Sequence, residues 1–92
     1  MDQASKRVAA ILSRMIEYLD GNLHDINHFL QVYGYAKTIG ELEGLDGETQ
    51  ERLEVAAIIH DIAVPFCREK YGHANGPEQE REGTILAAAF LA

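Results

Sequence analysis

Apolar residues recur three and four positions apart along most of the chain, which is typical of α-helices that bury one face. In the first such stretch the apolar positions are Val8, Ile11, Leu12, Met15, Ile16 and Leu19. Gly21 follows them at a point where a left-handed C-terminal cap is favoured. The pattern therefore predicts a first helix that ends close to Gly21.

A second stretch with the same spacing follows the short connection NLHD. Asp25 can cap its start, because a side-chain oxygen there accepts a hydrogen bond from an unpaired backbone N–H. The predicted core-facing stripe consists of His28, Val32, Tyr35, Ala36, Ile39 and Leu42. We therefore predict a second helix that ends at Gly44 and carries a histidine at the head of its buried face.

The third stretch opens with polar residues and then turns apolar on nearly every side in the segment VAAIIHDI. A helix of this kind is usually central in its fold. Asp46 or Gly47 can start it, and Pro65 restricts the preceding residue to extended or turn conformations. The helix is therefore predicted to end within about two residues of Asp61, with His60 and Asp61 in its last turn.

The remaining segments complete the predicted fold. PFCREKYG predicts a brief helix, GHANGP a loop, and Pro77 suits the first position of a final helix. The inward face of that helix is predicted to carry Gln79, Glu82, Gly83, Leu86 and Phe90. Because no segment alternates as a strand does, we predict an all-α fold. It is a small helical bundle of four to five helices, in one domain spanning residues 1–92.

Composition and charge narrow the classes of function. Hydrophobic residues make up 47% of the 92 residues and charged residues 25%, as in soluble globular domains. The formal charge of −7 repels polyanions and argues against binding to nucleic-acid polymers or anionic membranes. The N-terminal segment interleaves charges with apolar residues, unlike a secretory signal or a membrane span. A single cysteine, Cys67, excludes an internal disulfide, and we expect a cytoplasmic protein in which this thiol is structural or incidental.

Three side chains that can ligate a metal occupy positions where helical spacing predicts apolar residues: His28, His60 and Asp61. Packing of antiparallel helices brings the start of one near the end of the next. Neutral imidazole and carboxylate suit Zn, Mn, Fe, Co or Ni, and a cation would offset the cost of burying Asp61. Other interpretations stay open: each histidine can be a hydrogen-bonded core residue, and Asp61 can pair with Arg or Lys or face solvent.

Three segments in order resemble the HD-domain superfamily of metal-dependent phosphohydrolases: NHFLQVYGYAKTIGELEGL, LEVAAIIHDIAV and KYGHANGPEQEREG. In that family an isolated His, an adjacent His-Asp pair and a later Asp ligate the metal. The resemblance implies a divalent ion (Mn, Fe, Co, Ni, Zn or Mg) held by His28, His60 and Asp61. Since the family's last Asp comes from a helix further downstream, we expect the chain to be an N-terminal portion of such a domain.

The resemblance also implies a reaction, in which a metal-activated water hydrolyses a nucleotide or another small phosphate ester. Asp61 would then be catalytic, and Glu82 is the nearest candidate for the base that takes the proton. Arg68, Lys70 and Gln79 are candidates for binding the substrate. The alternative is a non-catalytic helical module of the same fold that binds a nucleotide, a metal or a protein partner. A plain bundle whose polar groups pair with one another is a third interpretation.

Several remaining residues can have purely structural roles. Gln79 and Glu82 can cap loops while Gly83 allows helices to approach closely, whereas the resemblance suggests that Glu82 holds a water, ligates a second ion or orients a histidine. His24 and His73 are expected to be solvated loop histidines.

Apolar surface left on the last helix predicts a homo-oligomer formed through that face.

Overall fold

The computed structural model describes residues 2–92, and over this range it contains five α-helices and no strand. The helices are α1 (Gln3–Tyr18), α2 (Leu23–Leu42), α3 (Gly47–Ile59), α4 (Val64–Tyr71) and α5 (Gly76–Leu91). This confirms the prediction of a small all-α bundle of four to five helices. The described residues divide into two compact units, the N-terminal unit (2–59) and the C-terminal unit (60–92). That residues 1–92 form one domain stays a prediction.

The N-terminal unit is built around α3, which packs against both α1 and α2. Its buried apolar residues come from all three helices and the α1 C-terminus: Val8, Met15, Leu19, Phe29, Ala57 and Ile58. Ile58 is completely buried and Met15 nearly so. Each large side chain removed from water in this way stabilises the fold by roughly 1.5–3 kcal/mol. The prediction that the third helix is central is confirmed for this unit.

The junction between α1 and α2 depends on backbone caps. Asp20 and Gly21 both have left-handed conformations, with φ of 46° and 80°, so α1 ends where the glycine predicted. The prediction that Asp25 caps α2 is wrong. Asn22 is the cap, and its side-chain oxygen accepts a hydrogen bond of 3.1 Å from the Asp25 N–H. Asp25 lies in the first turn instead, where its carboxylate complements the positive end of the helix dipole.

α2 buries a different face from the one predicted. Its buried residues are Phe29 and Gly40. Three members of the predicted stripe are strongly exposed, namely Tyr35, Ile39 and Leu42, at 69%, 57% and 82%. Because this helix has apolar residues on more than one face, spacing alone does not select the buried one. The bulk of Phe29 and the absence of a side chain at Gly40 favour the face that packs on α3.

Gly40 makes room for a polar side chain of α3. A Cβ at Gly40 would overlap Oε1 of Gln50. The Gln50 amide nitrogen donates to Glu54 Oε2 at 2.7 Å and to the Lys37 carbonyl at 3.3 Å. Glu54 is only 7% exposed, and the Tyr33 hydroxyl donates to its other oxygen at 3.4 Å. The close approach at Gly40 therefore provides hydrogen bonds to a buried carboxylate.

The C-terminal unit begins with the turn 60–63, which follows directly on α3. The predicted end of α3, within two residues of Asp61, is confirmed, but His60 and Asp61 lie just beyond the helix rather than in its last turn. The brief helix predicted from PFCREKYG is α4, and Gly72 ends it with a left-handed φ of 77°. α5 starts next to Pro77, as predicted.

Burial in the C-terminal unit is concentrated at its start, where Ile62, Ala63 and Cys67 are buried. Complete burial of the Cys67 thiol agrees with a structural role. α5 has no fully buried residue, and its predicted inward face is half-buried: Gln79, Glu82, Gly83, Leu86 and Phe90. Ile85 and Leu91 expose 63% and 44% of their surface. Self-association through α5 stays a prediction.

Within residues 2–92, no helix has the length and apolar character needed to cross a membrane.

Candidate functional site

The turn between α3 and α4 presents two adjacent groups of metal-ligating type. His60 Nε2 lies 3.0 Å from Asp61 Oδ2. The turn is closed by a hydrogen bond of 3.0 Å from the Val64 N–H to the Asp61 carbonyl. About a third of each side chain is exposed, 35% for His60 and 31% for Asp61. An imidazole nitrogen and a carboxylate oxygen therefore lie side by side within reach of solvent.

Gln79, in the first turn of α5, contacts this pair. Its side-chain amide donates a hydrogen bond of 2.9 Å to Asp61 Oδ1, in a part-buried position. One helical turn later, a Cβ at Gly83 would lie 3.8 Å from the Ala63 Cβ, which is ordinary van der Waals contact. Packing of α5 against the turn therefore does not require glycine at this position. The C-terminal unit brings together Gln79, His60 and Asp61.

Glu82, the candidate base, lies in a network of donors and cations. Its Oε1 accepts a hydrogen bond of 2.9 Å from the Tyr71 hydroxyl, and the Lys70 ammonium is 3.5 Å from the same oxygen. Arg81 donates to the Tyr71 hydroxyl at 3.1 Å and has its Nε 3.9 Å from Glu82. Only 13% of the Glu82 side chain is exposed.

This network lowers the pKa of Glu82 below its ordinary value of 4.5, chiefly through the Tyr71 hydrogen bond and then through the charge of Lys70. A general base works best when its pKa lies near the operating pH. A lowered pKa makes Glu82 a poorer proton acceptor than a carboxylate with its ordinary pKa. Its hydrogen bond with Tyr71 also joins α4 to α5, and its role as the base stays a prediction.

A substitution at Tyr71 tests this account. Tyr71→Phe removes the principal donor, so the pKa of Glu82 should rise toward 4.5, as followed by NMR titration of the side-chain carboxyl carbon. Because the folded pKa is lowered, ionised Glu82 stabilises the fold above about pH 4.5, and this contribution is lost as pH falls through the lowered pKa. In Tyr71→Phe, the protein should therefore lose less stability as the pH falls.

The matched control is Tyr35→Phe, at a tyrosine that is 69% exposed on α2. It should leave the Glu82 titration unchanged. An unaltered Glu82 pKa in Tyr71→Phe would show that the hydroxyl is not the main cause of the shift.

His28 lies in the N-terminal unit, on α2, and is exposed. Its predicted place at the head of a buried stripe is therefore wrong, because the buried face of α2 runs through Phe29 instead. An imidazole in contact with solvent is a better candidate for a ligand than a core histidine with all its hydrogen bonds inside the protein.

The other two histidines are exposed, as predicted. The predicted loop position is confirmed for His73 and wrong for His24, which lies in the first turn of α2 because that helix begins at Leu23. His24 Nδ1 lies 3.3 Å from Asp25 Oδ1 on α2. His73 Nδ1 accepts a hydrogen bond of 3.2 Å from the Asn75 N–H, and its ring stacks on Tyr71 with centroids 6.1 Å apart. The accepting Nδ1 leaves the proton of neutral His73 on Nε2. His73 thus belongs to the loop that leads into α5.

The two cations proposed for substrate binding lie in the last turn of α4. Arg68 is exposed, and half of the Lys70 side chain is exposed, at 51%. The Lys70 ammonium lies over the rings of Phe66 and Tyr71, at 5.4 and 5.2 Å from their centroids. Contact with Tyr71 and the charge of Glu82 raise the pKa of Lys70, so it stays charged at neutral pH.

Two structurally important residues escaped the sequence analysis. The sequence assigns Tyr71 no role, yet its hydroxyl joins Arg81 to Glu82. Glu54 precedes the apolar segment of the third stretch and is nevertheless buried. Spacing could have identified Glu54, because it lies three and four residues before the buried Ala57 and Ile58 and so shares their face. No comparable signal marks Tyr71.

The residues present fit a divalent transition metal. Two imidazoles and a carboxylate are donors that Mn, Fe, Co, Ni and Zn accept. Of the three candidates, His28 and His60 are exposed and Asp61 is half-buried, so none is sealed from an incoming ion. Gln79, a neutral amide, contacts Asp61 without cancelling its charge.

Comparison with known proteins supports one assignment. The sequence model of the HD domain matches residues 25–91 of the chain. This match covers the three segments on which the resemblance was based. No curated protein and no solved structure gives a match.

Proposed function

This chain belongs to the HD-domain family, and on that premise we propose that it is a metal-dependent phosphohydrolase acting on a small phosphate ester. His28, His60 and Asp61 hold the divalent ion. The observation that carries the proposal is the solvent-accessible pair in the turn 60–63, where His60 Nε2 and Asp61 Oδ2 are 3.0 Å apart. Family membership supports it, because HD domains typically bind divalent metals.

Each residue of the chain has a defined task in this proposal. Asp61 supplies negative charge, and the histidines ligate only when neutral, so metal affinity weakens in acid. When bound, a divalent ion lowers the pKa of a water molecule and polarises a phosphoryl oxygen. Arg68 and Lys70 receive the phosphate of the substrate through their positive charges. The HD family suggests a nucleotide or another small phosphate ester.

Metal content tests the site directly. His60→Ala and Asp61→Ala should each lower the metal bound per chain, because each removes a ligand. Loss of a group that only hydrogen-bonds to a ligand already lowers metal affinity by about 10–100-fold. The measurement is elemental analysis after incubation with Mn²⁺, Zn²⁺ or Co²⁺ and removal of free ion. Circular dichroism of each variant establishes that it is folded.

His24→Ala is the matched control, since His24 is an exposed histidine outside the proposed ligand set. It should bind as much metal as the wild type. Equal metal content in the wild type, His60→Ala and Asp61→Ala would contradict the assignment.

One observation favours a second candidate, a helical module of the same family that binds metal, a nucleotide or a protein without turnover. The lowered pKa of Glu82 and its hydrogen bond with Tyr71 make the only carboxylate proposed as the base a poor proton acceptor. Thermal stabilisation by metal together with the absence of turnover would support this module.

A further inference from the structure

The contact between Gln79 and Asp61 joins residues 18 apart in sequence, across the C-terminal unit. Gln79 lies in the first turn of α5, where its backbone N–H donates to the Asn75 carbonyl at 3.0 Å. The side chain therefore starts from a helix end that is itself held in place. The hydrogen bond to Asp61 is part-buried, which limits competition from water.

The two oxygens of Asp61 have different partners. Oδ1 accepts from the Gln79 amide at 2.9 Å, and Oδ2 lies 3.0 Å from His60 Nε2. Rotation of the carboxylate about its last side-chain bond would break the first contact and displace the second. Gln79 thus fixes the plane of the carboxylate, with one oxygen on the amide and the other beside the imidazole.

The chemistry of an amide suits this arrangement. Arginine or lysine at position 79 would form an ion pair with Asp61 and reduce the negative charge available to a cation. Glutamate at this position would have only acceptor atoms when ionised and would repel Asp61. Glutamine donates a hydrogen bond and carries no charge, so it orients the carboxylate and leaves its charge intact.

We propose that Gln79 is a positioning residue for the metal site rather than a substrate-binding residue, and that it holds Asp61 so that Oδ2 is offered beside His60. This inference rests on the proposed function, since it assigns a role within the same site. Groups that hydrogen-bond to a metal ligand from behind commonly set the orientation and affinity of that ligand.

Two variants test the proposal. Gln79→Ala removes the side chain, and Gln79→Met keeps its approximate length and volume but has no N–H donor. Both should weaken Co²⁺ binding by about 10–100-fold, measured by titration calorimetry of the full chain. The visible absorption of bound Co²⁺ should also change, because Asp61 Oδ1 is released and the ligand field is altered. A residue that only stabilises the fold would not change that spectrum.

Gln3→Ala is the control for the substitution, at an exposed glutamine on α1. It should match the wild type in both measurements. Wild-type affinity and spectrum in Gln79→Met would overturn the positioning role, and a raised KM with unchanged metal affinity would return Gln79 to substrate binding. Failure of the wild type to bind any metal is a different result, because it removes the proposed function and this inference together.

Discussion

Asp61→Asn should abolish hydrolysis of an aryl phosphate in the presence of Mn²⁺ while the chain stays folded. Asparagine preserves the shape of the side chain and an oxygen that can accept from the Gln79 amide, now 2.9 Å from Asp61 Oδ1. It removes the negative charge that attracts the cation. We expect turnover to fall by at least about a hundredfold, since disturbing a group that only supports a ligand already costs about 10–100-fold.

Glu69→Gln makes the same chemical change at an exposed carboxylate of α4 and should leave turnover unaltered. Activity of Asp61→Asn equal to that of the wild type would rule out Asp61 as a catalytic metal ligand. A wild type that is stabilised by metal but inactive would favour the binding module. No response to any metal would favour a plain bundle whose polar groups pair with one another.

Gly40→Ala should lower the free energy of unfolding, although alanine is the better helix former by about 1 kcal/mol. The added methyl group would displace the Gln50 side chain, which donates to the buried Glu54 at 2.7 Å. A buried acceptor that loses its donor costs about 1–3 kcal/mol, and more when it is charged. We expect a net decrease of about 1–2 kcal/mol in urea unfolding, because the lost hydrogen bond outweighs the helix propensity.

The same helix provides the control. Gly34 also lies within α2, but a Cβ there would meet no atom within 4 Å. Gly34→Ala should therefore stabilise the protein by about 0.5–1 kcal/mol. In a Gln50→Ala background, Gly40→Ala should no longer lower the free energy of unfolding. A cost that persists without Gln50 would show that the methyl group clashes with something else.

Much of the fold could be predicted from local pattern. Gly21, Gly72 and Pro77 mark helix ends because their backbone preferences act on the residues next to them. The His60–Asp61 pair and its place at the end of α3 were likewise evident, because Pro65 limits how far that helix can extend. These features depend on a few neighbouring residues.

The buried face of α2 was predicted wrongly for a physical reason. Spacing shows that a helix has an apolar face, but it does not choose between faces when apolar residues lie on several. The choice depends on the partner helix, and here Gln50 of α3 fits only where Gly40 has no side chain. His28 is exposed as a consequence, and this leaves it better suited to ligation than the predicted core position.

The sequence by itself determined the all-α class, the helix ends marked by Gly21, Gly72 and Pro77, the His-Asp pair and the resemblance to the HD domain. Each of these depends on adjacent residues or on helical spacing. Tertiary structure decided how the Asp61 carboxylate is oriented between Gln79 and His60, and that Glu82 accepts a hydrogen bond from Tyr71. Those hydrogen bonds join residues 18 and 11 positions apart. They depend on how the helices pack, which helical spacing does not predict.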